Sequence, residues 1–173
     1  TLAHGMIVAA RSGFTQVMLN PTTHPITDTR SGVNYLKSAT VGAIAEVFPI
    51  GALTTESKGD YLAELYDMQQ AGAVAFGDYK RGISQANLLK IALQYTAPFG
   101  GIVLSFPCDA SIMGKGVVNE YITSTRLGLK GIPALAEEII VARDLAILEY
   151  AGGRLHIPTI STAGSVALIA QAK

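Results

Sequence analysis

The side chains that could do chemistry in this chain stand at the ends of strand-like segments. Four such segments end at Thr22, Tyr79, Phe106 and Thr159. In a barrel of alternating strands and helices, ligands bind where the carboxyl ends of the strands meet the following loops. Two hydroxyls, a phenol and a phenyl ring are not usual zinc ligands, which are Cys, His, Asp and Glu. The strand ends therefore predict a barrel-type pocket with a poor set of metal donors.

Short apolar runs alternate along the chain with stretches of helical periodicity. The predicted strands are Thr15–Leu19, Ala45–Ile50, Ala71–Phe76, Gly101–Phe106 and Arg154–Ile160. The predicted helices are Lys58–Ala71, Ser84–Pro98 with Ser84 as its N-cap, and Ile132–Ala151. This alternation favours α/β architecture, with a parallel sheet and crossover helices.

Five strands are too few to close an eight-stranded barrel. An isolated slice would also expose two unpaired strand edges. We therefore expect residues 1–173 to form a single partial (β/α)-barrel domain of a longer protein, with its terminal strands missing. An open doubly wound sheet is the competing architecture.

Two further features concern the second half of the chain. The connection Pro107–Lys130 is long for a loop in a compact domain, which indicates a functional or interface segment. In the helix that follows, Glu137, Glu138 and Arg143 lie at helical spacing. This spacing predicts an ordinary network of ion pairs within the helix.

The composition excludes several classes of function. The chain has 173 residues, no formal net charge and no basic block, so binding to nucleic acid or to a membrane surface has no electrostatic support. Only 15% of its residues are charged, which indicates burial against a protein partner or against other parts of the same chain. The single cysteine, Cys108, cannot form an internal disulfide, so we expect a reducing, cytoplasmic location.

Short segments along the whole chain carry a resemblance to a known family. The most informative are Asn20-Pro21-Thr22-Thr23-His24-Pro25, Ala71-Gly72-Ala73-Val74-Ala75-Phe76, Gly131-Ile132-Pro133 and Ser161-Thr162-Ala163-Gly164-Ser165-Val166. These segments resemble those of bacterial dihydroorotases. The resemblance implies an amidohydrolase-type TIM-like barrel, of which this chain covers the central strands. It also implies zinc-dependent hydrolysis of the cyclic amide of dihydroorotate, in de novo pyrimidine biosynthesis.

The chain departs from the family at the positions that carry this chemistry. The resemblance places three metal ligands at positions that are here Tyr79, Phe106 and Thr159. It places a substrate-binding Asn at Thr22. Because a catalytic zinc ion needs about three protein ligands, we predict no catalytic residue, no metal ligand and no cofactor in this chain.

Replacement ligands are the alternative to that prediction. An active zinc site would need replacement ligands, for example Asp78, Cys108 and His156, together with histidines upstream of Thr1. His156 lies three positions before Thr159, and strand alternation places residues an odd number apart on opposite faces. That spacing favours packing for His156, and a structural role is favoured for Cys108.

Two hypotheses of function follow from the resemblance and the departures. In the first, the protein is a non-catalytic dihydroorotase relative that serves as an assembly partner, for example of aspartate carbamoyltransferase or of itself. In the second, it is an active zinc-dependent dihydroorotase. A third possibility is a small-molecule sensor that uses the emptied apolar pocket.

Overall fold

The computed structural model describes residues Thr1–Lys173 as strands alternating with helices. The strands are β1 (Gln16–Leu19), β2 (Glu46–Gly51), β3 (Ala75–Phe76), β4 (Ile102–Leu104), β5 (Val118–Asn119), β6 (Gly131–Ile132) and β7 (Arg154–His156). The helices are α1 (Leu2–Arg11), α2 (Arg30–Ala39), α3 (Leu65–Gln70), α4 (Ala86–Thr96), α5 (Ala110–Met113), α6 (Ile122–Arg126), α7 (Leu135–Ala151) and α8 (Ala163–Ala172).

Five of the strands form one sheet in the order β1-β2-β3-β4-β7, and all of the neighbouring pairs are parallel. Parallel pairing brings the carboxyl ends of all five strands to the same edge of the sheet. β1 and β7 are the two outer strands. This arrangement confirms the predicted α/β class with parallel strands alternating with helices.

The main hydrophobic core lies between this sheet and helices α2, α3 and α4. It contains 12 buried residues, among them Phe76 from β3, Val103 from β4, Met68 from α3 and Leu89 from α4. Each fully buried side chain of this size contributes about 1.5–3 kcal/mol. The core therefore holds β3 and β4 firmly and fixes where their carboxyl ends point.

Several elements differ from those predicted. The helix expected over Lys58–Ala71 is confined to α3, because a 3-10 turn at Thr55–Ser57 and an antiparallel bridge between Thr54 and Leu62 precede it. Helix α4 is preceded by Gln85 and has no side-chain cap, so Ser84 is not its N-cap.

The connection Pro107–Lys130 is also more structured than a loop. It contains helices α5 and α6 and strand β5, which pairs with β6 in a separate small parallel sheet. None of the helices has both the length and the hydrophobicity needed to cross a lipid bilayer.

Candidate functional site

A cleft of about 530 Å³ opens at the carboxyl ends of the five-stranded sheet, and we call it the strand-end cleft. Its lining includes Met18, Asn20, Tyr79, Lys80, Phe106 and Thr159. These residues follow β1, β3, β4 and β7 or lie at the ends of those strands. The cleft thus occupies the place where a parallel α/β sheet binds its ligands.

The structure brings together three of the four side chains singled out at strand ends. Tyr79, Phe106 and Thr159 all line the strand-end cleft, whereas Thr22 does not. Thr22 is exposed in the segment after β1, and Asn20 reaches the cleft from that strand instead. The family resemblance indicates Thr22 as the residue at this place, so it does not predict that Asn20 lines the cleft.

His156 differs from its prediction. His156 and Thr159 line the same cleft, although strand alternation places them on opposite faces. Regular strand structure ends at His156, so the alternation does not extend to Thr159. The His156 side chain is exposed.

Asp78 precedes Tyr79 directly, but its carboxylate accepts hydrogen bonds from within the protein. One oxygen, Oδ1, accepts hydrogen bonds from the backbone N–H groups of Leu53 at 3.1 Å and Thr54 at 3.3 Å. The other, Oδ2, accepts one from the Thr54 hydroxyl at 2.5 Å. Asp78 is buried, so these bonds fix the loop after β2 to the end of β3. Both carboxylate oxygens are therefore engaged within the protein.

Cys108 lies in a neighbouring cavity of about 740 Å³ that does not include Asp78 or His156. Its Sγ is 3.5 Å from Sδ of Met113. Burial raises the pKa of the Cys108 thiol, and the negative charges of Asp109 and Glu137 raise it further. Because the thiolate is the form that binds metals, this environment disfavours Cys108 as a ligand.

Ser105 precedes Phe106 directly and is fully buried, as is Asp144 on α7. The Ser105 hydroxyl donates a hydrogen bond of 2.5 Å to Asp144 Oδ2. Arg143 donates to Asp144 Oδ1 from Nε at 2.9 Å and from Nη2 at 2.7 Å. Burial raises the pKa of Asp144, and the bonds from Ser105 and Arg143 offset this only in part. This network ties the end of β4 to helix α7.

Glu137 holds the segment after β7. Its carboxylate accepts hydrogen bonds from the backbone N–H groups of Ser161 and Thr162 at 2.9–3.0 Å, and from both hydroxyls at 2.6 and 2.9 Å. Burial opposes ionisation of Glu137, but the bonds from Ser161, Thr162 and Ser165 outweigh it and lower its pKa to about 2. Glu137 therefore orders the segment that carries Thr159.

The predicted ion-pair network within α7 is wrong. Glu137 is engaged with the segment after β7, and Arg143 pairs with the adjacent Asp144. Helical spacing shows which side chains share a helix face, but it contains no information on partners from other elements.

The donor set of the strand-end cleft does not fit a zinc ion. Nowhere in Thr1–Lys173 do three His, Cys, Asp or Glu side chains come together in a way that could hold a metal. Within the cleft, Phe106 has no lone pair, and Tyr79 and Thr159 offer hydroxyl groups rather than the usual zinc ligands. Of the usual ligand types only Asp78 and His156 line it, and both Asp78 oxygens are already engaged. The residues present can instead offer aromatic surface, hydroxyl groups, the Asn20 amide, the His156 imidazole and the Lys80 ammonium group.

Solved structures of known proteins share the fold of this chain. The L-hydantoinase (dihydropyrimidinase) from Arthrobacter aurescens superimposes with a TM-score of 0.75 at 21% identity, over 96% of this chain and 39% of that one. A D-hydantoinase superimposes with a TM-score of 0.73 at 15% identity, over 99% of this chain and 39% of that one. At these identities the similarity shows the fold, which is the amidohydrolase barrel.

Curated relatives found by sequence have higher sequence identity to this chain than these solved structures have. The dihydroorotase of Pelotomaculum thermopropionicum is 46% identical over 173 residues, which are 100% of this chain and 40% of that protein. The dihydroorotase of Geobacter sulfurreducens is 42% identical over 170 residues, which are 98% of this chain and 40% of that protein. This chain thus spans about 40% of the length of these curated relatives. The profile of the family described as dihydro-orotase-like matches residues 1–165, and the chain belongs to that family.

Proposed function

We propose that the protein containing this chain is a dihydroorotase-like member of pyrimidine biosynthesis that has lost zinc and hydrolysis and serves as an assembly partner. Aspartate carbamoyltransferase is the partner we favour, and self-association is the second choice. The observation that carries the proposal is the chemistry of the strand-end cleft. Three strand ends meet there as Tyr79, Phe106 and Thr159, and these side chains do not make a zinc site.

The retained framework supports this proposal. Asp78, Ser105 and Glu137 make hydrogen bonds that hold the loop after β2, the end of β4 and the segment after β7. Buried hydrogen-bond networks whose members are satisfied rigidify the structure around them. An ordered site geometry beside side chains that are not usual zinc ligands supports a loss of metal-assisted hydrolysis.

The alternative is a zinc enzyme that uses substitute ligands, namely Asp78, Cys108 and His156. The arrangement of these three disfavours it. The Asp78 oxygens are occupied by Leu53 and Thr54, and Cys108 lies in a different cavity from His156. A zinc ion would have to break the Asp78 bonds and draw Cys108 out of its surroundings.

An assembly role is supported by the segment between β4 and α7. Large hydrophobic side chains are exposed there, at 68% for Val117, 71% for Tyr121, 59% for Ile122 and 67% for Leu127. Large exposed apolar side chains can mark a protein interaction site, and others lie elsewhere on the chain, for example Val41 and Tyr61. The low charged fraction of the chain, 15%, agrees with a surface that is partly covered.

The first test is assembly. We expect the full-length protein to co-purify with aspartate carbamoyltransferase at a fixed stoichiometry. Replacing Tyr121 and Leu127 together with serine should weaken that complex about tenfold or more, because large side chains at interfaces contribute most of the affinity. Val41→Ser is the matched control, since Val41 is 84% exposed but lies outside the segment. A protein that stays monomeric and does not bind the transferase would contradict the assembly role.

The second test is catalysis. The full-length protein should show no zinc-dependent conversion of dihydroorotate in either direction. The same assay should detect an active dihydroorotase, such as one of the relatives, when it is added at an equal concentration. Turnover that is abolished by chelation and restored by zinc would contradict the loss of hydrolysis.

A further inference from the structure

We propose that a groove between helices α4 and α7 docks an acidic side chain of a protein partner, with the carboxylate between Lys90 and Arg143. The groove has a volume of about 450 Å³, and we call it the α4–α7 groove. Its lining includes Asn87, Lys90, Arg143, Ala146, Ile147 and Tyr150. The inference rests on the assembly role proposed above, and it deepens that role by naming a second surface and the partner chemistry that fits it.

The α4–α7 groove is separate from the two cavities near the strand ends. All of its lining residues belong to α4 or α7. None of them lines the strand-end cleft or the cavity that contains Cys108. The groove is therefore a feature of the helical surface, and what binds there need not enter the strand-end cleft.

The charge of the α4–α7 groove favours an anion. Lys90 and Arg143 are the only charged side chains that line it, and both are cationic. Lys90 is half-buried and takes part in neither of the two ion pairs of the chain. Glu149, an exposed carboxylate on α7, lines a different cavity. The groove thus offers a cation without a partner and no acidic side chain to compensate it.

Arg143 adds donors that are already fixed in place. Its Nε and Nη2 donate hydrogen bonds to the buried Asp144, and its Nη1 donates to the carbonyl oxygen of Ser84 at 3.4 Å. A guanidinium carries five N–H groups, and three are engaged in these bonds, so two remain available. The side chain is 23% exposed. Because donors that are already ordered lose little entropy on binding, the groove is preorganised for a carboxylate.

The apolar part of the groove favours a protein partner over a small inorganic anion. Ala146 and Ile147 supply apolar surface beside the two cations, and Tyr150 is 77% exposed. Exposed tyrosines are frequent anchors of protein interfaces. An Asp or Glu with aliphatic neighbours can use both the cations and the apolar surface, whereas a free phosphate or sulfate can use only the cations.

The first test measures the partner chemistry with the full-length protein. The probes are the blocked peptide Ala-Leu-Glu-Ile-Ala and its versions with glutamine or lysine in place of glutamate. By ligand-observed NMR, we expect the glutamate peptide to bind about fivefold or more tightly than the glutamine peptide, because hydrogen bonds to charged groups are the stronger ones. The lysine peptide should not bind.

Two results of this comparison would overturn the proposal. One is equal binding of the glutamate and glutamine peptides. The other is no binding of the glutamate peptide, as expected if another part of the full-length protein covers the groove.

A charge reversal at Lys90 locates the carboxylate. Lys90→Glu should abolish binding of the glutamate peptide and create binding of the lysine peptide, because the sign of the attraction is reversed. A misfolded variant could not gain the second activity. Lys37→Glu is the matched control, since Lys37 is an exposed lysine on α2 that does not line the groove. Unchanged binding of the glutamate peptide by Lys90→Glu would overturn the proposal.

Arg143 is left intact in these experiments. Its loss would leave the buried Asp144 without two of its donors, and a weaker peptide complex could then reflect a damaged fold. Tyr150→Ser is the variant for the apolar contact, and it should weaken binding of all peptides that bind, whatever their charge. Unchanged binding in Tyr150→Ser would overturn the assignment of the apolar contact.

The complex with aspartate carbamoyltransferase separates this inference from the proposed function. A complex that Lys90→Glu weakens about fivefold or more, with Lys37→Glu unchanged, supports both. A complex that Lys90→Glu leaves unchanged overturns the groove as a docking surface and leaves the assembly role standing. Charge-dependent peptide binding without any complex supports the chemistry of the groove and overturns the transferase as the partner.

Discussion

Pairs of adjacent residues at the strand ends contrast sharply in this molecule. Asp78 and Ser105 are buried and hydrogen-bonded, whereas Tyr79 and Phe106, one residue further along the chain, face the strand-end cleft. The first residue of each pair ties loops and helices to the sheet, although Asp78 also borders the cleft, and the second lines the space where a ligand would bind. Buried hydrogen bonds thus hold the framework directly beside the side chains that line the cleft.

This contrast shows that the side chains that stabilise the fold differ from those that could contact a ligand, even at adjacent positions. Loss of a buried hydrogen-bond partner affects the whole domain, because the remaining group stays desolvated. Replacement of a side chain at an open cleft affects only what binds there. The predictions below test this division, starting with the variant of largest expected effect.

Asp78→Ala should be the most damaging single change. It leaves two backbone N–H groups and the Thr54 hydroxyl without their acceptor in a buried environment. We expect the free energy of unfolding, measured by urea denaturation, to fall by about 3 kcal/mol or more. Asp78→Asn retains one acceptor oxygen and should lose less. Equal stability of Asp78→Ala and the unmodified protein would contradict a stabilising role for the Asp78 hydrogen bonds.

Ser105→Ala should have the next largest effect. The change leaves Asp144 Oδ2 buried without the hydroxyl that donates to it. A loss of about 2 kcal/mol in the free energy of unfolding is expected for an unsatisfied buried carboxylate oxygen. Phe106→Leu, one residue away and only partly buried, should cost less than about 1 kcal/mol. The contrast would be wrong if the Phe106 variant were the less stable of the two.

Glu137→Gln should change the dependence of stability on pH. The pKa of Glu137 is lowered from 4.5 to about 2 in the folded protein. The contribution of this carboxylate is therefore complete above the unfolded pKa of 4.5 and is lost as the pH falls through about 2.

The variant should be less stable than the unmodified protein by roughly 1 kcal/mol at neutral pH, and the difference should vanish near pH 2. Urea denaturation at several pH values measures this. Glu138→Gln, at the adjacent position on α7, is the control and should show no such pH dependence. A difference between Glu137→Gln and the unmodified protein that grows as the pH falls would contradict the assignment.

Tyr79→Phe and Thr159→Val should have the smallest effects. Neither side-chain oxygen has a hydrogen-bond partner within the chain, and both residues are exposed at the cleft. We expect stability to change by less than about 0.5 kcal/mol in each variant, as is usual for exposed positions. A thermal-denaturation series that includes both variants checks this. A large loss of stability in either variant would show that its side chain stabilises the fold.

Much of this framework could be predicted from the residues alone. The apolar runs near β1, β2, β4 and β7 and the helical periodicity of α4 are local patterns, and they indicate the parallel α/β arrangement. Gly152 ends α7 with a φ of 69°, as a glycine after a helix is expected to do. The prediction did not include helix α2, although Thr29 caps it and Val33 and Leu36 give it a buried face.

The site was predictable only in part, because its contacts join distant positions. Glu137 binds Ser161 and Thr162, which are 24 and 25 residues away, and helical spacing alone could not reveal those partners. Ser105 and Asp144 are 39 residues apart. His156 joined the cleft because β7 ends there, and strand alternation could not anticipate where the regular strand stops.

The zinc content of the full-length protein at dialysis equilibrium is the decisive quantity. It should be measured for the unmodified protein and for a double variant, Tyr79→Phe with Thr159→Val. If the cleft lacks metal donors, the two proteins should retain the same small amount of zinc, no more than a zinc-free control protein. Stoichiometric zinc in the unmodified protein that is lost in the double variant would show that Tyr79 and Thr159 hold a metal after all.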